Sequence, residues 1–127
     1  MKIGFWNVNG WSKNTVSDNF NFRLNSISCL NLDVLGIAET HLKKDEVLIL
    51  NDFKWFGHNR NGIHKNAKCG SGGVCFLIKD YLTEIFDIGI LDQSFECILW
   101  LYLHHRLSNF RFDICVAIFH LITLLGK

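Results

Sequence analysis

The chain has 127 residues, 49% of them hydrophobic and 13% aromatic, which suits one domain with enough apolar content to fill a core. Lys and Arg number 13 and Asp and Glu 12, so the formal net charge is +1. That balance excludes a protein that grips nucleic acid through a broad basic excess, and any nucleic-acid contact must be local. Proline is absent, where about 5% is ordinary.

The opening stretch Met1-Lys2-Ile3-Gly4-Phe5-Trp6-Asn7 has an apolar run too short for a signal sequence, so an intracellular location is expected. Lys2 to Val8 reads as a strand, because Ile3, Phe5, Trp6 and Val8 favour β structure and Asn9-Gly10 supplies turn chemistry. Asn7 and Asn9 thus fall at a strand's carboxyl end. Trp11 to Asn19 is polar and loop-like. From about Asp18 the apolar residues Phe20, Leu24, Ile27 and Leu30 recur at helical spacing, one stripe of an amphipathic helix.

Asp33 to Ala38 follows as a second strand, dry enough to be buried on both faces, and it ends on the carboxylate of Glu39. Strand, helix and strand in this order form a βαβ unit, which makes the two strands parallel and puts their carboxyl ends on one edge. Asn7 and Glu39 are therefore expected to share a rim, the place where open α/β sheets put their ligands.

Lys43-Lys44-Asp45-Glu46 reads as a solvated turn, and Val47–Leu50 and Phe53–Gly57 as two short strands. Residues 61–73 are glycine-rich, basic and without periodicity, hence a loop. Gly70-Ser71-Gly72-Gly73 lacks the Gly-Lys-Ser/Thr ending and leads into a strand, so it is no P-loop. Gly73 to Lys79 is a strand, Asp80 to Leu82 a turn or short helix, and Thr83 to Ile88 a weaker strand. Two apolar runs, Phe95–Leu103 and Phe110–Phe119, are joined by six polar residues as in an antiparallel hairpin. The tail to Leu125 is too short and too interrupted by His120 to span a bilayer.

Five cysteines, at 29, 69, 75, 97 and 115, contain no Cys-x-x-Cys, and buried free thiols in a reducing compartment account for them most simply. The spacing of His58, His64, Cys69 and Cys75 matches no usual zinc site. By contrast, an amide and a carboxylate at one rim suit a hard cation beside a phosphate. Mg²⁺ takes oxygen ligands, commonly one or two carboxylates with water and substrate phosphate completing the shell. Such an ion polarises a phosphoryl group and eases departure of the leaving oxygen.

Three stretches in order, Ile3-Gly4-Phe5-Trp6-Asn7-Val8-Asn9-Gly10, Leu35-Gly36-Ile37-Ala38-Glu39-Thr40-His41-Leu42 and Gly72-Gly73-Val74-Cys75-Phe76-Leu77-Ile78, resemble the endonuclease/exonuclease/phosphatase superfamily. The closest likeness is to the apurinic-like endonuclease domain of non-LTR retrotransposons, with Trp55-Phe56-Gly57-His58-Asn59-Arg60 and Phe95-Glu96-Cys97-Ile98-Leu99-Trp100 also similar to that branch. The resemblance implies a four-layer αββα sandwich and a Mg²⁺- or Mn²⁺-dependent phosphodiester hydrolase acting on DNA. By the same likeness Asn7 is the catalytic residue that binds phosphate, Glu39 the metal ligand and Asn9 a possible outer-shell group. Arg60 and Lys79 lie on matching segments without a role to transfer.

The likeness also fails in places. The family continues after the segment matching Ile114-Cys115-Val116-Ala117 with a Tyr and a Pro-rich turn, whereas Ile118-Phe119-His120-Leu121 stands here. Neither an Asp-x-Asn motif nor an Asp-His pair occurs, and nothing places His104, His105 or His120 at the Glu39 rim. The expectation is therefore an α/β (α+β) chain, residues 1–127 forming a single, C-terminally truncated domain. It would be the N-terminal half of the sandwich, one mixed, mostly antiparallel sheet with a helix on one face, and inactive on its own. A sheet face left bare in this way would drive self-association, and no membrane partner is expected. The alternatives are a non-catalytic remnant or interaction module, and, sharing the early motifs, a sphingomyelinase- or inositol-phosphatase-like hydrolase.

Overall fold

The structure, a computed structural model, describes residues 1–11, 18–43, 46–58, 72–92 and 97–118. Seven strands and two helices follow one another as β1 (Ile3–Asn7), α1 (Asp18–Leu30), β2 (Val34–Ala38), β3 (Phe53–His58), β4 (Val74–Lys79), α2 (Asp80–Ile85), β5 (Phe86–Asp92), β6 (Ile98–His105) and β7 (Arg111–Ala117). The βαβ reading holds, since β1 and β2 are parallel neighbours in the register Ile3↔Val34 to Asn7↔Ala38. β2 is buried at every position, as a strand covered on both faces must be.

The α+β class is as expected, but the strands divide between two sheets where the sequence reading has one. A mixed sheet has the order β1-β2-β4-β3, and an antiparallel sheet the order β5-β6-β7. The division is made at α2. Thr83 Oγ1 donates to the Asp80 carbonyl at 2.7 Å, keeping residues that favour a strand in a helical turn, and the strand begins only at Phe86, which is buried. From there the chain crosses to the second layer.

Between the layers Val34, Val74, Phe76 and Ile78 of the first sheet meet Leu99, Leu101, Leu103, Ile114 and Val116 of the second in one apolar cluster. The face expected to be bare is thus covered by the chain's own strands, because β6 and β7 bring their alternate, inward-facing residues to it. The opposite face of the first sheet carries Leu35, Ile37, Cys75 and Leu77, packed against Ile27 of α1 and against Leu42 and Leu48. Burial pushes the Cys75 thiol up to about 12, the nearby Trp55 indole opposing the shift only in part.

Three local expectations change. Val47–Leu50 alternates as a strand should, with Leu48 buried and Ile49 85% exposed, yet it is not a strand: Leu48 plugs the helix-side core from an irregular segment. In the predicted stripe of α1 only Ile27 is fully buried and Leu30 is 55% exposed, while the side chain of Phe20 lies outside the described residues. Cys29, Cys75, Cys97 and Cys115 are free thiols, of which only Cys75 is buried as expected, while Cys97 and Cys115 are half-buried and Cys29 is exposed. Cys69, the glycine-rich residues 61–71, Arg60 and His120 also lie outside the described residues. Among those described, no helix is long and apolar enough to cross a membrane.

Candidate functional site

Parallel pairing of β1 with β2 sets Asn7 directly beside Ala38, so that Glu39, the next residue, leaves the sheet at the same rim as Asn7 and Asn9. The two strand ends are then tied beyond the ladder. Val8 N donates to Ala38 O at 3.1 Å, Gly10 N to Glu39 O at 2.7 Å and Trp11 N to Thr40 O at 2.8 Å. The start of β4 closes the third side, where Thr40 N donates to Gly73 O at 3.2 Å and His41 N to Gly72 O at 2.8 Å. Glu39 is therefore held by backbone on both flanks while its own side chain is half-buried.

Backbone strain collects at this rim. Asn9, Glu39 and His41 all have positive φ, at 47°, 56° and 56°, alongside Gly10 at 97° and Gly73 at 89°. A left-handed conformation costs a residue with a Cβ about 1–2 kcal/mol, and such outliers persist only where the surroundings impose them. The close packing that imposes them is visible at the glycines. A Cβ on Gly10 would stand 2.8 Å from His41 Nδ1, and one on Gly73 would stand 2.4 Å from Thr40 Oγ1. Thr40 is fully buried, and among the described residues its hydroxyl has no hydrogen-bond partner.

Asn7 is exposed, and its Oδ1 accepts the Asn9 backbone N–H at 3.0 Å. With one lone pair of the amide oxygen so engaged, Asn7 keeps its NH₂ group, a donor suited to a phosphate oxygen, and the second lone pair of that oxygen. Glu39 offers two acceptor oxygens suited to a hard cation. Asn9 contributes its backbone N–H to Asn7 and so orders that side chain.

Sequence reasoning missed Arg23. From the partly buried face of α1 its guanidinium donates to Gly10 O and, at 2.9 Å, to Val8 O, and it lies 5.8 Å from the centre of the Trp11 ring. It thereby braces the turn that carries Asn7 and Asn9. The signal was present: a lone arginine three residues beyond Phe20 and four before Ile27 sits inside the apolar stripe, and a charge there needs a partner. Thr40 and Gly73 carried no such signal, because their importance arises from contact across distant segments.

Other residues weighed from the sequence are elsewhere. Lys79 ends β4 at the far end of the sheet, where its ammonium lies 4.9 Å from the Phe53 ring centre. His104 pairs with Arg111 at the start of β7, whereas the residues of β7 nearest the rim are Cys115 to Ala117. The His105 ring packs edgewise on Phe86 and its Nδ1 meets Ser108 Oγ at 3.1 Å, within the hairpin end. Neither imidazole reaches Glu39.

Next to Asn7 an open groove of about 490 Å³ runs between the two sheets, lined by Phe5, Trp6, Asn7, Gly36, Ala38 and Cys115 to Ala117. Among the described residues no three His, Cys, Asp or Glu side chains cluster as a ready-made metal site. A cation at the rim would rest on the Glu39 carboxylate with water and phosphate oxygens supplying the remaining ligands. That is compatible with Mg²⁺, which keeps much of its water shell.

No protein-family model matches the chain, and no curated protein matches it.

Proposed function

We propose that this chain is a phosphodiester-hydrolase domain of the endonuclease/exonuclease/phosphatase type, with DNA as the phosphodiester and with Glu39 holding Mg²⁺ or Mn²⁺ beside Asn7. The observation that supports the reading is the Asn7↔Ala38 register, which brings Asn7 and the residue after Ala38, Glu39, to the same strained rim of the sheet. When bound, the ion would neutralise charge on the phosphoryl oxygens. Asn7 would donate to one of those oxygens, Asn9 would fix the Asn7 carboxamide, and Arg23 would hold the whole turn in place.

Binding is proposed to run ahead of chemistry. These 127 residues contain no Asp-x-Asn or Asp-His motif, and of the described histidines only His41 and His58, which ends β3 opposite Val74 and two strands away from Ala38, stand at this end of the sheet. The His41 ring packs on Gly10. A missing general base costs about 10²–10⁴ in rate, and a missing electrostatic donor a comparable factor. The chain alone should therefore hold cation and phosphodiester without appreciable cleavage.

Calorimetric titration with Mn²⁺, followed by a plasmid-nicking assay, tests both halves of the proposal. Weak cation binding that disappears in Glu39→Gln, with no nicking, is the expected pair of results. Equal Mn²⁺ affinity in Glu39→Gln would remove the site, and nicking that Glu39→Gln abolishes would remove the inactive reading.

A further inference from the structure

Among the described residues the two sheets have four edge strands, β1 and β3 on the first and β5 and β7 on the second. Exposed edges invite pairing with another strand, and proteins blunt them with charges, bulges or proline. Three of these edges are blunted. β3 carries the exposed Lys54 within the strand. β5 has a register break between Ile90 and Asp92 as well as the acids Asp87 and Asp92. β7 bears Arg111 and Asp113, paired with each other at 3.1 Å.

β1 has none of these devices. From Ile3 to Asn7 it is uncharged, regular and free of proline. It is also sticky, since Phe5 is 59% exposed and Ile3 39% exposed although both lie on the face turned toward the second sheet, where Phe5 lines the open groove beside Phe76.

The phase of its hydrogen bonds says what it can pair with. Lys2 O accepts from Val34 N at 3.2 Å and Val8 N donates to Ala38 O at 3.1 Å, so the even-numbered residues turn their backbone groups toward β2. Ile3, Phe5 and Asn7 accordingly turn N–H and C=O outward, one donor and one acceptor each. That set is symmetric about Phe5.

We propose that β1 is a self-association edge, at which two copies of this chain pair antiparallel about a two-fold axis through Phe5. Phe5 then faces its own symmetry mate, and Ile3 faces Asn7 of the second copy, with about six backbone hydrogen bonds across the seam. A two-fold interface must be self-complementary, and this one is: Lys2 falls opposite Val8, so no like charges meet. The two four-stranded sheets become one continuous sheet, and both exposed Phe5 rings leave water together. The interface uses the backbone of Asn7, which the proposed site uses through its side chain, and Glu39 takes no part in it.

Sedimentation velocity from ~1 µM to ~1 mM, a range that brackets weak association, tests the proposal. The expected result is a concentration-dependent dimer whose dissociation constant rises at least about tenfold in Phe5→Lys. Leu107→Lys, which adds the same charge on an exposed hairpin turn, should leave dimerisation unchanged. Circular dichroism checks that Phe5→Lys folds, and Ile3→Lys serves as the second variant if it does not. Hydrogen exchange should show the Ile3, Phe5 and Asn7 amides protected only where the dimer forms.

A monomer throughout the range overturns the proposal, and so does a dimer indifferent to Phe5→Lys and Ile3→Lys. Protection of those amides in the monomer overturns it too, because the edge would then be covered by the chain itself.

Discussion

At the level of single residues, the rim trades stability for position. Glu39 holds a left-handed backbone, φ 56°, that a glycine would adopt without penalty. Glu39→Gly should therefore raise the free energy of unfolding by up to about 1 kcal/mol, the glycine's extra freedom in the unfolded chain offsetting part of the relieved strain. The same change should abolish the Mn²⁺ affinity. Denaturant titration and calorimetry on one sample measure both quantities. A loss of stability together with a loss of affinity would make Glu39 a structural residue and not one held under strain for a task. Glu39 and Asn7 were legible in the sequence because each closes a short apolar run. The strain itself was not, since the left-handed conformations of Glu39 and His41 are imposed by hydrogen bonds from Gly10 and to Gly72, contacts no local pattern records.

Among elements, the best-predicted ones have a pattern that one neighbour satisfies: β1 with β2, β4 as a continuous apolar run, and the β6–β7 hairpin. The boundary between α2 and β5 was hidden, because Thr83-Glu84-Ile85 favours a strand by composition and is kept helical by its place between two sheets. Asp33 shows how such elements are joined. Its carboxylate accepts the Lys2 backbone N–H at 2.7 Å and the Tyr81 hydroxyl, linking the start of β1 to α2. The Tyr81 hydrogen bond first, and then that from Lys2, hold the Asp33 pKa below its ordinary 3.8. A carboxyl whose folded pKa is depressed stabilises the fold fully above the unfolded value, and that stabilisation is lost as the pH falls through the folded one. Asp33→Asn should therefore melt at a lower temperature than the parent near neutral pH, and the gap should close as the pH drops below 3.8. Thermal melts at several pH values measure it, and a gap that persists unchanged in acid would mean the carboxylate charge contributes nothing.

Across the whole molecule, the decisive feature is that two sheets share one apolar cluster, which the strand pattern alone does not dictate. Antiparallel strands of the same alternation can extend a sheet or cover it, and the choice is made only where the chain turns at Phe86. Phe76 sits at the centre of the result: fully buried, it packs among Val34, Ile78, Leu101 and Ile114, and its ring meets Phe5 edge-on at 6.2 Å. Truncating a buried Phe to Ala costs about 3–5 kcal/mol, a large share of the 5–15 kcal/mol that ordinarily separates folded from unfolded. Phe76→Ala should thus lower the urea midpoint sharply with little change in slope. If the shared cluster joins the layers into one cooperative unit, fluorescence of Trp6 and Trp55 in the first sheet and of Trp100 in the second must report the same midpoint, in the parent and in the variant alike. Single-tryptophan versions of the chain separate the signals. Transitions that split, with Trp100 unfolding apart from the other two, would show that each sheet stands by itself and that the covered face is a contact of convenience.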